Sequence, residues 1–532
     1  MKGLVFYMAD KKLTAEQIHV IKRNNIFKGT MILTLAGFIT RVIGFFYKIF
    51  LSNTMGAELL GIYQLIFPVY GIAFTIYATG IQTSLSRLVA AELGKRNDKN
   101  INRILGIGLL MSVSLALLMS ILVYRGADYI AIRFLLEERS AQSLRIMAIV
   151  FPFCGVTSSI NGYYYGLKKA AIPASTQLLE QLIRVIAVYI IALLAGNGNL
   201  TVTCELAVLG IVFGEIASCL YNFLSLFFSK PPRDLIVLGP DPNAKVTEKR
   251  QITKDILSLS VPLSANRLLI NILHSVETVL IPTMLRRFGL TTSQALSTYG
   301  ILTGMSMPFI LFPTALINAL AVLLLPTVSE AQALNNERLI GKTTAVAIKY
   351  SLMIGIFSTG IFIIFGKDLG TSVFHTQEAG TYLTILAWLC PLIYLTTTLG
   401  SIINGLGKAH ITFLNSITGS ISKILLIIIL IPSRGISGYL IALLVGQLII
   451  TILDGIAVAK YVRFPFEVGN SLVKPGLVVA FAGFLLKESY EYIKEMTQTN
   501  EVILILTFCV LFCVICIGLL MITRAISKED FK

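Results

Sequence analysis

Apolar residues run along this chain in long blocks broken by short polar stretches, and fourteen of the blocks have the length of a membrane crossing. They cover residues 29–51, 60–84, 104–124, 143–166, 172–195, 203–229, 255–281, 297–325, 343–365, 381–404, 411–431, 436–458, 472–486 and 502–523. A helix rises about 1.5 Å per residue, so roughly 20 apolar residues cross a hydrocarbon core about 30 Å thick. The pattern predicts an all-α polytopic membrane protein with about 14 transmembrane helices. The eighth block is interrupted by Pro308 and Pro313, and the thirteenth is short. Pro68, Pro152, Pro262 and Pro391 also fall inside blocks, where each predicts a kink.

Composition agrees. Of 532 residues, 55% are hydrophobic and 14% charged, whereas soluble domains carry about a quarter charged residues. This excludes a soluble multidomain protein, a disordered chain and a disulfide scaffold. The seven cysteines all lie in apolar stretches and read as small hydrophobes. Cys509, Cys513 and Cys516 share a helix face, but no His or carboxylate stands beside them, so no metal site and no cofactor is expected.

The surplus of 44 Lys and Arg over 28 Asp and Glu gives a net charge of +16. In a soluble domain this would point to nucleic acid; here it follows the positive-inside bias. Counting Lys474 with its preceding loop, 28 basic residues fall in the N-terminus, the even-numbered loops and the C-terminus, and 9 in the opposite loops. Both termini are therefore expected in the cytoplasm, against an anionic inner leaflet, with no nucleic-acid partner. Residues 1–28 read as a cytoplasmic segment and not a secretory signal, because Leu4–Met8 runs at once into Asp10, Lys11 and Lys12. Met8 is an alternative start.

The two halves of the chain repeat each other. At an offset of 239, Pro152 matches Pro391, Gly166-Leu167 matches Gly405-Leu406, Lys169-Ala170 matches Lys408-Ala409, Ile172 matches Ile411, and Arg184 matches Lys423. Gly214-Glu215 pairs with Gly446-Gln447 at an offset of 232, and Ile81 to Glu92 echoes Ile317 to Glu330 more loosely. The expected organisation is two pseudo-symmetric six-helix lobes, 29–229 and 255–458, joined by a cytoplasmic linker at 230–254 that carries Pro231-Pro232 and Gly239-Pro240-Asp241-Pro242. Two extra helices follow at 472–523, then a tail at 524–532. Parallel repeats of this kind place a substrate site between the lobes.

Four basic residues lie deep in outward-running helices. Arg41, Arg184, Arg267 and Lys423 stand about 12 or 13 residues in, roughly 18–20 Å along the helix. Each would cost about 2.5–3.5 kcal/mol facing lipid, so they are expected to face a water-filled, cationic central cavity. Helical spacing puts Thr34, Arg41 and Lys48 on one stripe and Gln177, Gln181 and Arg184 on another; Ser416, Ser420 and Lys423 make a third, and Arg267, Asn271, His274 and Thr278 a fourth. Glu180 is placed to pair with Arg184 at i,i+4, a pairing that Gly419 does not offer Lys423. His274 and Glu277 could neutralise each other or relay a proton. Glu205 and Glu215 are the remaining deep acids, suited either to a coupling cation or to helix–helix hydrogen bonds. Arg41 and Arg267 have no acid at helical spacing, which makes them the better anion contacts.

The stretch Thr40-Arg41-Val42-Ile43-Gly44-Phe45, with Gly56-Ala57, Gly61-Ile62-Tyr63-Gln64, Phe67-Pro68, Gly80-Ile81-Gln82-Thr83 and Ser86-Arg87, resembles the opening of flippases in the multidrug/oligosaccharidyl-lipid/polysaccharide exporter superfamily. Within it the chain is most similar to the stage V sporulation protein B and lipid II flippase branch of polysaccharide biosynthesis proteins. The resemblance implies movement of an undecaprenyl-diphosphate-linked saccharide, lipid II in the first place, to the outer face of a bacterial cell membrane, in cell-wall or spore-cortex synthesis. It also implies an essential role for Arg41, which occupies the family's first-helix arginine position. Two family positions depart: Tyr47 stands where a second arginine is found, with Lys48 beside it, and Val69, Tyr70, Gly71 and Ile72 follow Pro68 without a basic residue.

A diphosphate needs cationic and hydrogen-bond-donating partners to offset its desolvation, which the basic stripes supply. The extra helices could offer a groove for the polyprenyl tail. No G-x-x-x-x-G-K-[ST] phosphate loop occurs, so the energy would come from an ion or proton gradient, the membrane potential or consumption of product outside. A cation-coupled multidrug exporter of the same superfamily is the alternative, although it would want chamber carboxylates. A membrane enzyme such as a glycan polymerase would want a larger outer loop than that near Arg125 to Gln142.

Overall fold

The computed structural model describes residues 15–195, 200–228, 245–496 and 500–526, with the side chains of 15–30 and 195 left out. The first 14 residues, most of the linker and the end of the tail therefore lie outside the described residues. What is described is almost wholly helical, without a strand.

We label the helical segments α1 (residues 15–55), α2 (57–94), α3 (Asp98–Arg125), α4 (Ala141–Gly166), α5 (Ala171–Ala195), α6 (Cys204–Phe228) and α7 (Lys249–Arg287). The rest are α8 (292–333), α9 (Glu337–Phe374), α10 (377–405), α11 (Ala409–Arg434), α12 (Ile436–Tyr461), α13 (Gly469–Met496) and α14 (Glu501–Ile522). Twelve described helices are long and apolar enough to cross a membrane, or up to 13 when the bent α10 is counted as one span. That count takes Met31–Gly94, 64 residues, as a single helix. At about 1.5 Å per residue it would be roughly 96 Å long, three times the hydrocarbon thickness. Gly56 breaks it, with φ 77° and ψ 168°, a conformation that side chains with a Cβ avoid.

Proline and π-turn geometry shape the remainder. Pro391 sits at the start of Leu389–Gly405, where the missing N–H bends α10 by 49° from Gln377–Leu386. The eighth block runs further than expected, from a Thr291–Gln294 capping box through a π-turn at Ile301–Ser306 and a break at Phe312-Pro313 to Ala333. Pro326 lies within its last stretch without ending it. A π-turn also interrupts α2 at Thr75–Thr79, whereas Pro68 and Pro152 ride inside continuous helix.

The chain divides into two compact units, and the division runs through α1, α2 and α7. Unit 1 holds Met1–Ile43 and Ile66–Ile272; unit 2 holds Gly44–Leu65 and Leu273–Lys532. In unit 1, α4 packs on α2, α3 and α6, and α5 packs on α6. In unit 2, α10 packs on α8, α9 and α12, and α11 packs on α12. The packing thus follows the sequence repeat, down to single residues. A Cβ on Gly166 would stand 2.7 Å from Val89 Cβ, and one on Gly405 would stand 2.9 Å from Val328 Cβ, both pairs 239 apart. Asn97 caps α3 and Asn336 caps α9, again 239 apart. The added helices α13 and α14 lean on α9 through Phe365, Tyr490 and Phe508, and through Lys494 Nζ to Asp368 Oδ1 at 2.8 Å.

Candidate functional site

Deep polar side chains gather at corresponding places in each unit. In unit 1, α5 carries Gln181, Arg184 and Glu180 along one face, because 3.6 residues per turn bring i, i+3 and i+4 together. Arg184 Nη2 donates to Glu180 Oε1 and Nη1 reaches Gln181 Oε1 at 3.5 Å. Gly214 on α6 makes room for this group: a Cβ there would stand 2.8 Å from the Glu180 carbonyl oxygen and 3.4 Å from Arg184 Cβ. Glu215, the next residue, is buried, and its Oε2 has no partner among the described residues.

Unit 2 repeats the notch and changes the partner. A Cβ on Gly446 of α12 would stand 2.8 Å from Lys423 Cβ, so the lysine stem is wedged as the arginine stem is. Its Nζ lies 2.6 Å from Glu277 Oε2 on α7. Tyr439 on α12 donates to Glu277 Oε1 at 3.3 Å, and His274 Nδ1 stands 3.6 Å from Oε2. This corrects the expectation that Lys423 loses its counter-charge in the repeat. The pairing is kept, with the carboxylate supplied by a different helix. Desolvation explains the arrangement, since neither charge is stable alone away from water. Ser420, one turn before Lys423, is buried.

The other expected site residues divide by exposure. Arg41, Lys48 and Arg267 are exposed on the surfaces of their units, as is His274, whose side chain is 60% exposed. Asn271 is committed to packing. Its Nδ2 donates to Thr75 Oγ1 at 2.6 Å and to the Gly71 carbonyl at 3.1 Å, fastening α7 to the π-turn of α2. Gln181 is buried beside Arg184. The structure therefore brings together Glu180, Gln181 and Arg184 in one unit and His274, Glu277 and Lys423 in the other. Sequence reasoning missed Glu277 as the partner of Lys423, although apart from Asp255 at its very start it is the one acid in the apolar stretch 255–281.

Comparisons with known proteins agree on the family and the fold. A family model described as polysaccharide biosynthesis protein matches residues 26–332. Stage V sporulation protein B of Bacillus subtilis (strain 168) is 25% identical over 512 residues, covering 96% of this chain and 98% of its own. The lipid II flippase MurJ of the same organism is 21% identical over 469 residues, 84% of each chain. Among solved structures, a lipid II flippase MurJ in an inward closed conformation superposes with a TM-score of 0.66 at 16% identity, covering 94% of this chain and 99% of that one. An inward-facing multidrug resistance MATE family transporter of the MOP superfamily gives 0.62 at 15% identity, over 81% and 97%. At these identities the structures establish a shared fold.

Proposed function

Because this chain belongs to the polysaccharide biosynthesis protein family, we propose that it is a flippase that moves an undecaprenyl-diphosphate-linked saccharide, lipid II in the first place, from the inner to the outer leaflet of a bacterial cell membrane by alternating access. The observation that carries the reading is the contrast among deep cations. Arg184 and Lys423, held by Glu180 and Glu277, are only 20% and 14% exposed, while Arg41 and Arg267 are exposed on apolar helices. An exposed cation at such depth is stabilised by water or an anion and opposed by lipid. A diphosphate head group is an anion whose charge an arginine fork matches in two hydrogen bonds. Lys48 and His274, both exposed, would add to the polar surface, while Arg184, Gln181, Lys423, Ser420 and Asn271 lie in the helix packing. The relatives named for lipid II and for sporulation support this substrate class and a role in cell-wall or spore-cortex synthesis.

The test is transfer of labelled lipid II in proteoliposomes, run beside uptake of a cationic dye. Wild type is expected to move lipid II. Arg41→Ala and Arg267→Ala should each slow it about 10- to 100-fold, the worth of one charge-assisted hydrogen bond at ~1.5–3 kcal/mol. Unchanged transfer in both variants would remove the cationic contacts from the mechanism. Dye movement without lipid II movement would favour the multidrug-exporter reading, which the fold shared with a MATE transporter keeps in play.

A further inference from the structure

Repeat-equivalent positions carry one polar contact with two chemistries. In unit 1, Thr176 Oγ1 on α5 donates to Asn222 Oδ1 on α6 at 3.1 Å. In unit 2, Asn415 Nδ2 on α11 donates to Asp454 Oδ1 on α12 at 2.8 Å. Thr176 and Asn415 are 239 residues apart and Asn222 and Asp454 are 232 apart, the two offsets of the sequence repeat. Asn222 and Asp454 are each 0% exposed. Each also leaves its second polar atom, Nδ2 or Oδ2, without a partner among the described residues. The fold builds the same clasp twice, with a neutral amide in one copy and a carboxyl in the other.

Among the described residues no ion pair holds Asp454. On α11, Lys423 is held by Glu277 and His410 is exposed near the helix start. Packed α10 offers Cys390 and Tyr394, whose hydroxyl donates to the Ile310 carbonyl. α9 shares an apolar cluster with Ala457 and Val458 and carries Lys349. On α12 itself, Tyr439 donates to Glu277, while Lys460 and Tyr461 are exposed, with Lys408 over the Tyr461 ring at 4.1 Å. Among the described residues the Asp454 carboxyl accepts from Asn415 at Oδ1, and its Oδ2 has no hydrogen-bond partner. A carboxylate here would be a buried charge without counter-charge, whereas a carboxylic acid has the shape and neutrality of the Asn222 amide.

We infer that Asp454 is a proton-binding site, with the proton on Oδ2 while α11 and α12 are clasped and released to water when the two helices part. In the release the Oδ2–H bond breaks, its electron pair stays on the carboxylate, and hydronium carries the proton away. Opening of this helix pair and loss of a proton are then one event. Its use as a driving step rests on the transporter reading above; the proton site itself does not.

Two measurements on the full chain in vesicles separate the claims. The infrared difference spectrum of wild type minus Asp454→Asn at neutral pH should contain a protonated-carboxyl C=O band that moves in D2O. Its absence overturns the site. In lipid II transfer with the membrane potential clamped, wild type should respond to an imposed pH gradient and Asp454→Asn should lose that response. A retained response overturns the coupling. Wild type that moves no lipid II under any gradient overturns the transport reading, and the infrared band then judges Asp454 alone. Asn is what unit 1 already holds at this position, so the variant is expected to fold.

Discussion

Removing the Lys423 ammonium would leave the Glu277 carboxylate buried beside the Tyr439 hydroxyl and the His274 imidazole. Breaking a buried pair from one side costs about 3–5 kcal/mol, while removing both partners costs far less. Lys423→Ala should therefore lower the thermal unfolding temperature of the purified protein sharply, and Lys423→Ala with Glu277→Ala should recover most of the loss. Equal temperatures for the single and double variants would mean that the carboxylate left behind carries no penalty. Arg184→Ala should cost less, because Arg184 and Glu180 are about a fifth exposed and water can replace part of the contact. At this scale the sequence was half legible. The Glu180–Arg184 pair could be read from helical spacing. The Glu277–Lys423 pair could not, because its partners stand 146 residues apart on different helices. Asn271 shared a face with Arg267, yet it bonds the Gly71 carbonyl and the Thr75 hydroxyl, where α2 enters a π-turn that no periodicity signals.

Two elements meet closely where glycine leaves a notch, and the notch is testable by sign. Gly446→Ala would press a Cβ within 2.8 Å of Lys423 Cβ and should destabilise by about 1–3 kcal/mol. Gly455 lies on the same helix with nothing within 4 Å of a Cβ, so Gly455→Ala should stabilise by about 0.5–1 kcal/mol. Unfolding of the two variants in matched detergent checks the opposite signs. Element identity was legible because apolar blocks of about twenty residues have few other uses. Element ends were not. The ninth block, expected over 343–365, extends to Glu337–Phe374 because Asn336 caps it and polar turns continue the helix beyond the apolar core. The eighth, expected over 297–325, runs on through Pro326, whose helix is held by its neighbours.

For the whole molecule, the unequal distribution of basic residues predicts sidedness. In a cysteine-free background, Arg133→Cys should react with an impermeant maleimide added outside intact cells, and Lys95→Cys only after permeabilisation; both positions are exposed. The reverse pattern would invert the proposed orientation. The repeat was legible as a list of matched residues, and the matched contacts at Gly166 and Gly405 give it a physical basis. The partition of α1, α2 and α7 between units was not legible, because hydropathy reports burial from water and is silent about which neighbour does the burying.

The single residue between α11 and α12 has a mechanical consequence. Gly435 alone joins them, at φ 59° and ψ −138°, whereas residues 196–203 separate α5 from α6. The unit 2 hairpin is thus a lever that pivots at Gly435. Asp454 lies 18 residues beyond Ile436, about 27 Å from the pivot. A swing of roughly six degrees would open a gap of about 3 Å there, the width of one hydrogen bond. A rotation too small to disturb the pivot would be enough to unlatch the far end.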